Sequence, residues 1–438
     1  MAGLAPAAKP DMAADGAFAR WVYSTGLRLA APLYMGKLWW RGRDEPPYRS
    51  AWHERFATGG GDGRQGRIWV HAVSLGETRA SEPLLQALRR LAPGRGLLLT
   101  HGTATGREAG AALLQPGDAQ VWLPYDTPGA VRRFLRRHKP AVGVLMETEI
   151  WPNLLDAAHE AGVPMVLANA RLSERSFAKG QRLQALLRPA AASFSRVLAQ
   201  TADDARRLQA SGAPSPQVMG NLKFDVSPNP VLVERGRAWR AALGRPVVLA
   251  ASTREGEEEP LLAAWKRLAA PRPLLLLVPR HPQRFDAVAQ MAAAAGLSVL
   301  RRSAWGETPP ADAAAAEVWL GDSIGEMPLY YAAADSALLG GSFAPLGGQN
   351  LIEAAACGCP LVMGPYTFNF EQAAEMSLAA GAALRAADID DGVGRAVALA
   401  LDAARGERVA AALAFSAQHR GAAERMARAI VELLPAGL

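Results

Sequence analysis

The feature that most restricts the fold of this chain is a regular alternation of short, unbroken apolar runs with Ala- and Leu-rich helical segments, repeated in two series. The first series of runs is Ile68–Val73, Leu97–Thr100, Val121–Leu123, Val142–Met146, Met165–Ala168 and Val197–Ala199. The second is Val247–Ala251, Leu274–Val278, Leu297–Leu300, Val318–Leu320, Ala337–Leu339 and Leu361–Met363. Continuous apolar runs suit strands buried on both faces, and helices between them supply the covering layers of a parallel sheet. The sequence therefore predicts an α/β protein of two doubly wound, Rossmann-like domains facing an interdomain cleft. The proline-marked Asp225–Pro230 connector separates the domains. The expected division is an arm over 1–58, one domain over 59–225 and a second over 226–438, whose last helix can pack back on the first domain. Gly59–Gly63 reads as the loop after the arm. Ligands of such domains bind beyond the carboxyl ends of the strands.

Composition narrows the partners. The 438 residues carry a net charge of +7, which calls for an anionic partner. Nucleic acid is not expected, because the basic residues are mostly Arg scattered among acids and no recognition helix, zinc finger or stacking motif accompanies them. An anionic lipid surface fits better. The segment Phe18–Trp40 holds Trp21, Tyr23, Tyr34, Trp39 and Trp40, with Arg41 and Arg43 beyond. Arg20, Arg28 and Lys37 interrupt it, so its apolar pieces fall short of the roughly 20 residues that span a bilayer. It reads as a helix lying in the interface, or as a surface helix packed on the domain. No secretory signal opens the chain. Cys357 and Cys359, two residues apart, suit neither a disulfide nor a metal pair and read as buried thiols in a reducing compartment. No metal or cofactor is expected: there is no His-x-x-x-His helix and no Asp-x-Asp motif.

The chemistry-bearing residues fall at predicted strand ends. The richest stretch is 325–360, a short helix from about Ile324 to Ala334, a strand Ser336–Leu339, a loop with Gly340, Gly341, Gly347 and Gly348, and a second helix opening near Gln349. Such a loop lets backbone amides approach an anion. Asn350 and Glu353 share a helix face, and the Glu353 carboxylate can accept from vicinal hydroxyls, so the stretch reads as a nucleotide site. The first strand ends in Ser74, with Glu77 just ahead of a helix expected near Ala80. Glu77 is either a general base or a helix N-terminal acid held by the dipole. Glu147 and Glu149 follow the fourth strand, and no acid/base pair is expected of them. Arg171 offers a donor to an acidic group, with Ser173 a candidate helix cap, and Lys223 lies near the connector. In the second series, Ser252 and Thr253 can donate to phosphate or cap the next helix, and Arg280 leaves a strand end ready to brace an anion, ahead of a structural His281.

Trp69–Glu77, Met146–Asn153, Asn169–Ser176, Gly220–Phe224, Val278–His281 and Gly340–Pro360 together resemble, in order, the 3-deoxy-D-manno-octulosonic acid (Kdo) transferases of Gram-negative bacteria. The resemblance runs from about Tyr23 to Phe370 and includes Trp40–Arg43 and Tyr48–Phe56, with Leu75 a conservative departure. It implies a glycosyltransferase-B architecture, an acceptor-binding first domain and a nucleotide-sugar-binding second. It also implies inverting transfer of Kdo from CMP-Kdo to the lipid A precursor at the cytoplasmic face of the inner membrane. Glu77 matches the family's catalytic base. Ser252, Arg280, Met327, Asn350 and Glu353, with Gly348 of the same loop, match the CMP-Kdo site, and Lys223 a basic residue of the cleft. Glu147, Arg171 and Ser74 are the acceptor-side candidates. Other readings of the same pattern are a different nucleotide-sugar transferase or epimerase, and a membrane-docked scaffold without catalysis.

Overall fold

The computed structural model describes residues 12–59 and 62–435. Residues 60 and 61 of the expected Gly59–Gly63 loop lie outside the described residues, as does the start of the chain on which a signal would fall. The chain divides into two compact units, 1–225 with 421–438, and 226–420.

The first unit is built on a parallel seven-stranded sheet: β1 (Ile68–His71), β2 (Leu97–His101), β3 (Ala119–Trp122), β4 (Val142–Met146), β5 (Met165–Ala170), β6 (Arg196–Ala199) and β7 (Gln217–Val218). The spatial order is β3-β2-β1-β4-β5-β6-β7. The chain steps outward from β1 in one direction and then returns to start again at β4, so the switch point lies between these neighbours. Ile68 pairs with Val142 and His71 with Leu145. Val70, Val144 and Leu99 face one helical layer, while Trp69, Leu145 and Leu167 face the other. Both faces are thus buried, as the unbroken apolar runs require.

Segment 421–438 belongs with this unit rather than with the 226–438 stretch. Its helix Ala422–Val431 buries Met426, Ala427 and Ile430 with Leu84 and Leu88 of helix Leu75–Leu91. Asp225 fixes its start by accepting from the amides of Gly421 and Ala423.

The arm's main element is one long helix, Met12–Arg41, followed by the short helical turns Pro46–Arg49 and Trp52–Arg55. The Tyr23 hydroxyl donates to Asp126 at 3.0 Å, and the Ser24 hydroxyl to Asn153 at 2.9 Å. Asp126 also accepts from the amides of Asn153 and Leu154, so one buried carboxylate ties the arm to helix Pro152–Glu160. On its other side the arm exposes Phe18, Trp21, Leu29, Leu33, Trp39 and Trp40. The helix thus packs on the unit with one side and exposes apolar and aromatic residues on the other. Among the described residues, no helix is long and apolar enough to cross a membrane.

The second unit repeats the plan with β8 (Val247–Thr253), β9 (Leu274–Pro279), β10 (Val299–Arg301), β11 (Val318–Leu320), β12 (Ser336–Leu339), β13 (Leu361–Met363) and β14 (Ala383–Arg385). All pairings are parallel, in the order β10-β11-β9-β8-β12-β13-β14. Here the switch point lies between β8 and β12. The sequence runs missed β7, two exposed residues, and β14, a three-residue stretch in Ala-rich surroundings.

Candidate functional site

In the first unit the polar motif residues gather beyond the carboxyl ends of β1 and β4, at the switch point where doubly wound sheets hold ligands. The helix after β1 begins at Leu75, not near Ala80. Ser74 is its N-cap, accepting from the Glu77 amide at 3.4 Å. In return the Ser74 hydroxyl donates to the Glu77 carboxylate at 3.1 Å, and the Val73 amide donates to the other oxygen at 2.8 Å. This Ser-x-x-Glu reciprocity is a variant of the capping box in which the carboxylate reaches past the N-cap to the Val73 amide, with the acid one turn into the helix. Burial raises the Glu77 pKa above the ordinary range, and the nearby Glu147 charge adds to this against the Val73 and Ser74 hydrogen bonds and Arg171.

Glu147 and Glu149 do not continue the strand, because β4 ends at Met146. Glu147 takes a left-handed backbone, φ 58°, and the chain turns there instead of alternating. A non-glycine residue in this region costs about 1–2 kcal/mol, and such outliers gather where surrounding structure dictates a direction. Glu147 is buried and pairs with Arg171 at 2.8 Å. Glu149 is half-buried, and its pKa is pushed up to about 7, first by burial and then by the charges of Glu77 and Glu147. Three carboxylates and one guanidinium thus form a single electrostatic group. Glu149 is the member that the sequence-based site candidates leave out.

Asn169 carries a second left-handed backbone, φ 51°, within β5. Its side-chain oxygen accepts from the Leu222 amide at 3.0 Å, and its carbonyl accepts from Gln200, whose own side-chain oxygen accepts from Asn221. This chain of amides fixes the turn Leu222–Phe224 that carries Lys223. Ser173 caps helix Glu174–Gly180, as its position suggests.

The second unit brings its candidates to the carboxyl ends of β8, β9 and β12. Ser252 interrupts the register between β8 and β9, with φ 54°, and its hydroxyl lies 3.9 Å from the Met327 sulfur. Neither Ser252 nor Thr253 caps the next helix: Thr253 donates to Glu258 instead, at 3.2 Å, and Glu257 precedes the helix. Gly340 must be glycine because a Cβ would meet the Ser252 carbonyl oxygen at 2.3 Å. The helix after the loop starts at Leu351, with Asn350 as N-cap accepting from the Ile352 amide. Glu353 follows in its first turn; burial raises its pKa and the Arg280 charge opposes this. Arg280, exposed at the end of β9, anchors its amide on the Thr253 carbonyl at 2.9 Å.

The glycine loop itself departs from the expected anion cradle. Buried Glu257 accepts from the amides of Gly341 at 2.7 Å, Phe343 at 3.1 Å and Ala344 at 3.3 Å, as well as Arg254 at 2.9 Å. Those amides hold a carboxylate of the protein, and the loop is shaped before any ligand arrives. Gly348, with φ 76°, turns the chain and returns its amide to the Gly341 carbonyl at 2.7 Å. Cys357 and Cys359 are buried free thiols, their pKa values raised mainly by burial, for Cys357 to about 12.

Two parallel doubly wound sheets, each with polar residues at its switch point, define the glycosyltransferase-B class of architecture. Solved structures share this fold: Anabaena HepE in complex with UDP, TM-score 0.52 at 15% identity over 84% of this chain and 99% of that one, is one. The Neisseria meningitidis UDP-GlcNAc 2-epimerase is another, at 0.51 and 12% over 85% and 99%. At these identities the likeness concerns fold alone. A family model described as 3-Deoxy-D-manno-octulosonic-acid transferase (kdotransferase) matches residues 50–226. The chain is 48% identical to the 3-deoxy-D-manno-octulosonic acid transferase of Bordetella pertussis over 95% of its length and 99% of that protein. It is 34% identical to the enzyme of the same name from Haemophilus influenzae, over 93% and 97%. The chain belongs to the Kdo transferase family and is a glycosyltransferase.

Proposed function

We propose that the protein moves Kdo from CMP-Kdo to the tetra-acylated lipid A precursor, lipid IVA, in a single inverting displacement that needs no metal ion. The observation that carries this reading is the acid group at the first switch point, in a chain so similar to named Kdo transferases. Glu77 takes the proton of the acceptor hydroxyl as it attacks. A carboxylate raised by burial is a better base than one in water, and the Val73 and Ser74 hydrogen bonds keep its direction. Glu147 and Arg171 position the acceptor, with Ser74 beside the base.

The second unit holds the donor. Ser252, Met327, Gly348 and Asn350 shape the nucleotide pocket, Glu353 accepts from the ribose hydroxyls, and Arg280 balances the phosphate. Lys223 adds positive charge as CMP departs. The helix Met12–Arg41 lies on the cytoplasmic face of the inner membrane, with Trp21, Leu29, Leu33, Trp39 and Trp40 at the headgroup layer and Arg28, Lys37, Arg41 and Arg43 toward anionic lipid.

The test is transfer from CMP-Kdo generated in situ to purified lipid IVA, followed by mass spectrometry, for wild type and Glu77→Gln. Wild type should add the mass of Kdo, and Glu77→Gln should be slower by about 10²- to 10⁴-fold. Wild type without product in detergent and in liposomes discards the acceptor and donor assignment. An undiminished variant removes Glu77 from the base role.

A further inference from the structure

Next to the acid group, the first unit encloses a cavity of about 310 Å³ that the transfer mechanism does not use. Ile150, Leu167, Leu172, Phe177, Leu187 and Phe194 make it predominantly apolar. Three of its features go beyond a packing gap. Thr148 and Ile150, on either side of Glu149, line it, as does Arg171, the partner of Glu147 at 2.8 Å. Whatever occupies the cavity is therefore held beside the acid turn.

Charge supplies the second feature. Between 171 and 188 the chain carries Arg171, Arg175, Lys179, Arg182 and Arg188 against Glu174 alone, and all five cations are exposed. Arg171 and Arg188 themselves line the cavity. An apolar interior bordered by cations suits a ligand that joins a hydrocarbon chain to phosphate, whereas a sugar alone would call for polar walls.

The third is the helix Gln184–Ala192. Leu187, Arg188 and Ala191 present it to the cavity, while Pro189 packs close to Gly16 of the arm. The arm is the element that exposes Trp21, Leu29 and Leu33. One helix thus stands between the cavity and the arm.

We propose that the cavity takes one fatty acyl chain of the phosphorylated lipid acceptor, so that acyl capture holds the acceptor sugar at Glu77, Glu147 and Glu149. This rests on the lipid-acceptor reading above. The test uses full-length Leu187→Trp, which fills the cavity, and Ala191→Phe as a second filling variant should the first lose its circular dichroism spectrum. Binding of lipid IVA and of the same disaccharide bisphosphate stripped of acyl chains is measured calorimetrically without donor, in detergent free of phospholipid, alongside KM and kcat for transfer.

Filling the cavity should weaken binding of the acylated acceptor by on the order of 10- to 100-fold, the loss expected when a few methylenes leave an apolar site. The effect should fall on KM more than on kcat, and binding of the stripped acceptor should stay within about twofold. Equal weakening for both acceptors, or none for either, overturns the proposal. So does a defect seen only in phospholipid vesicles, which assigns the cavity to a membrane lipid. Wild type that transfers to neither acceptor refutes the acceptor reading itself, a failure distinct from that of the cavity.

Discussion

Replacing Glu149 by Gln should stabilise the protein, increasingly so as pH rises from about 4.5 to about 7. The native carboxyl titrates at about 7 instead of 4.5, raised first by burial and next by Glu77 and Glu147. Each pH decade between those values is worth about 1.4 kcal/mol, so the ionised form destabilises the native state by about 3 kcal/mol as an upper figure. Partial exposure of the side chain and water entering the relaxed site reduce this to about 1–2 kcal/mol. The direction follows from proton binding. Below pH 4.5 the group is protonated folded and unfolded, and contributes nothing. Between 4.5 and 7 the unfolded chain releases the proton while the native state keeps it, so native stability falls as pH rises. Above 7 the full penalty stands.

Urea unfolding of wild type and Glu149→Gln at half-unit steps from pH 4.5 to 8.5 reads this directly. The two stabilities should approach each other at the acid end, diverge through pH 5–7, and run parallel above. Curves parallel over the whole range would refute the clustered-acid reasoning, because they would leave Glu149 with an ordinary pKa. A variant less stable at pH 8 would refute it more sharply, by showing the charge to be well paired.

Two further outcomes follow from buried carboxylates elsewhere. Glu257→Ala leaves the amides of Arg254, Gly341, Phe343 and Ala344 without their acceptor. It should cost about 3 kcal/mol or more, with CMP affinity falling with it, measured by thermal unfolding and calorimetry; a stable variant with unchanged CMP binding would show that the loop does not need its carboxylate. Tyr23→Phe removes a hydrogen bond that favours the charged form of Asp126, whose pKa burial has pushed up to about 6. The loss should be about 1–2 kcal/mol at pH 8 and shrink below pH 6, where Asp126 is protonated, with faster amide exchange along Met12–Arg41 as the local sign.

Much of this architecture was legible because parallel sheets write their strands as plain apolar runs. The missing strands were those without that signal, Gln217–Val218 being exposed and only two residues long. The helix start at Leu75 was also available, since Ser74 and Glu77 have the spacing of a capping box. The acid group was not. Nothing in Met-Glu-Thr-Glu announces a left-handed glutamate, a conformation rare outside glycine and asparagine. The same limit hid Glu257. Three of its four partners lie more than 80 residues away, and only the packing of β8 beside β12 brings them together. The glycines drew attention to the loop, but the residue that orders it is a carboxylate before a different helix.

The base role proposed for Glu77 need not compete with its capping role. As a cap, the carboxylate is held at fixed oxygens by the Val73 amide and the Ser74 hydroxyl. As a base, it must be oriented without losing affinity for a proton, and hydrogen bonds that favour the anion work against that affinity. Burial together with Glu147 outweighs them, so the pKa ends above the ordinary value although two donors face the carboxylate. A third acid, Glu149, with a pKa pushed up to about 7, is only partly ionised near neutrality and keeps the group from carrying three full charges there. The capping box thus supplies direction and the acid group supplies basicity. Neither alone would leave a carboxylate both fixed and willing to take a proton.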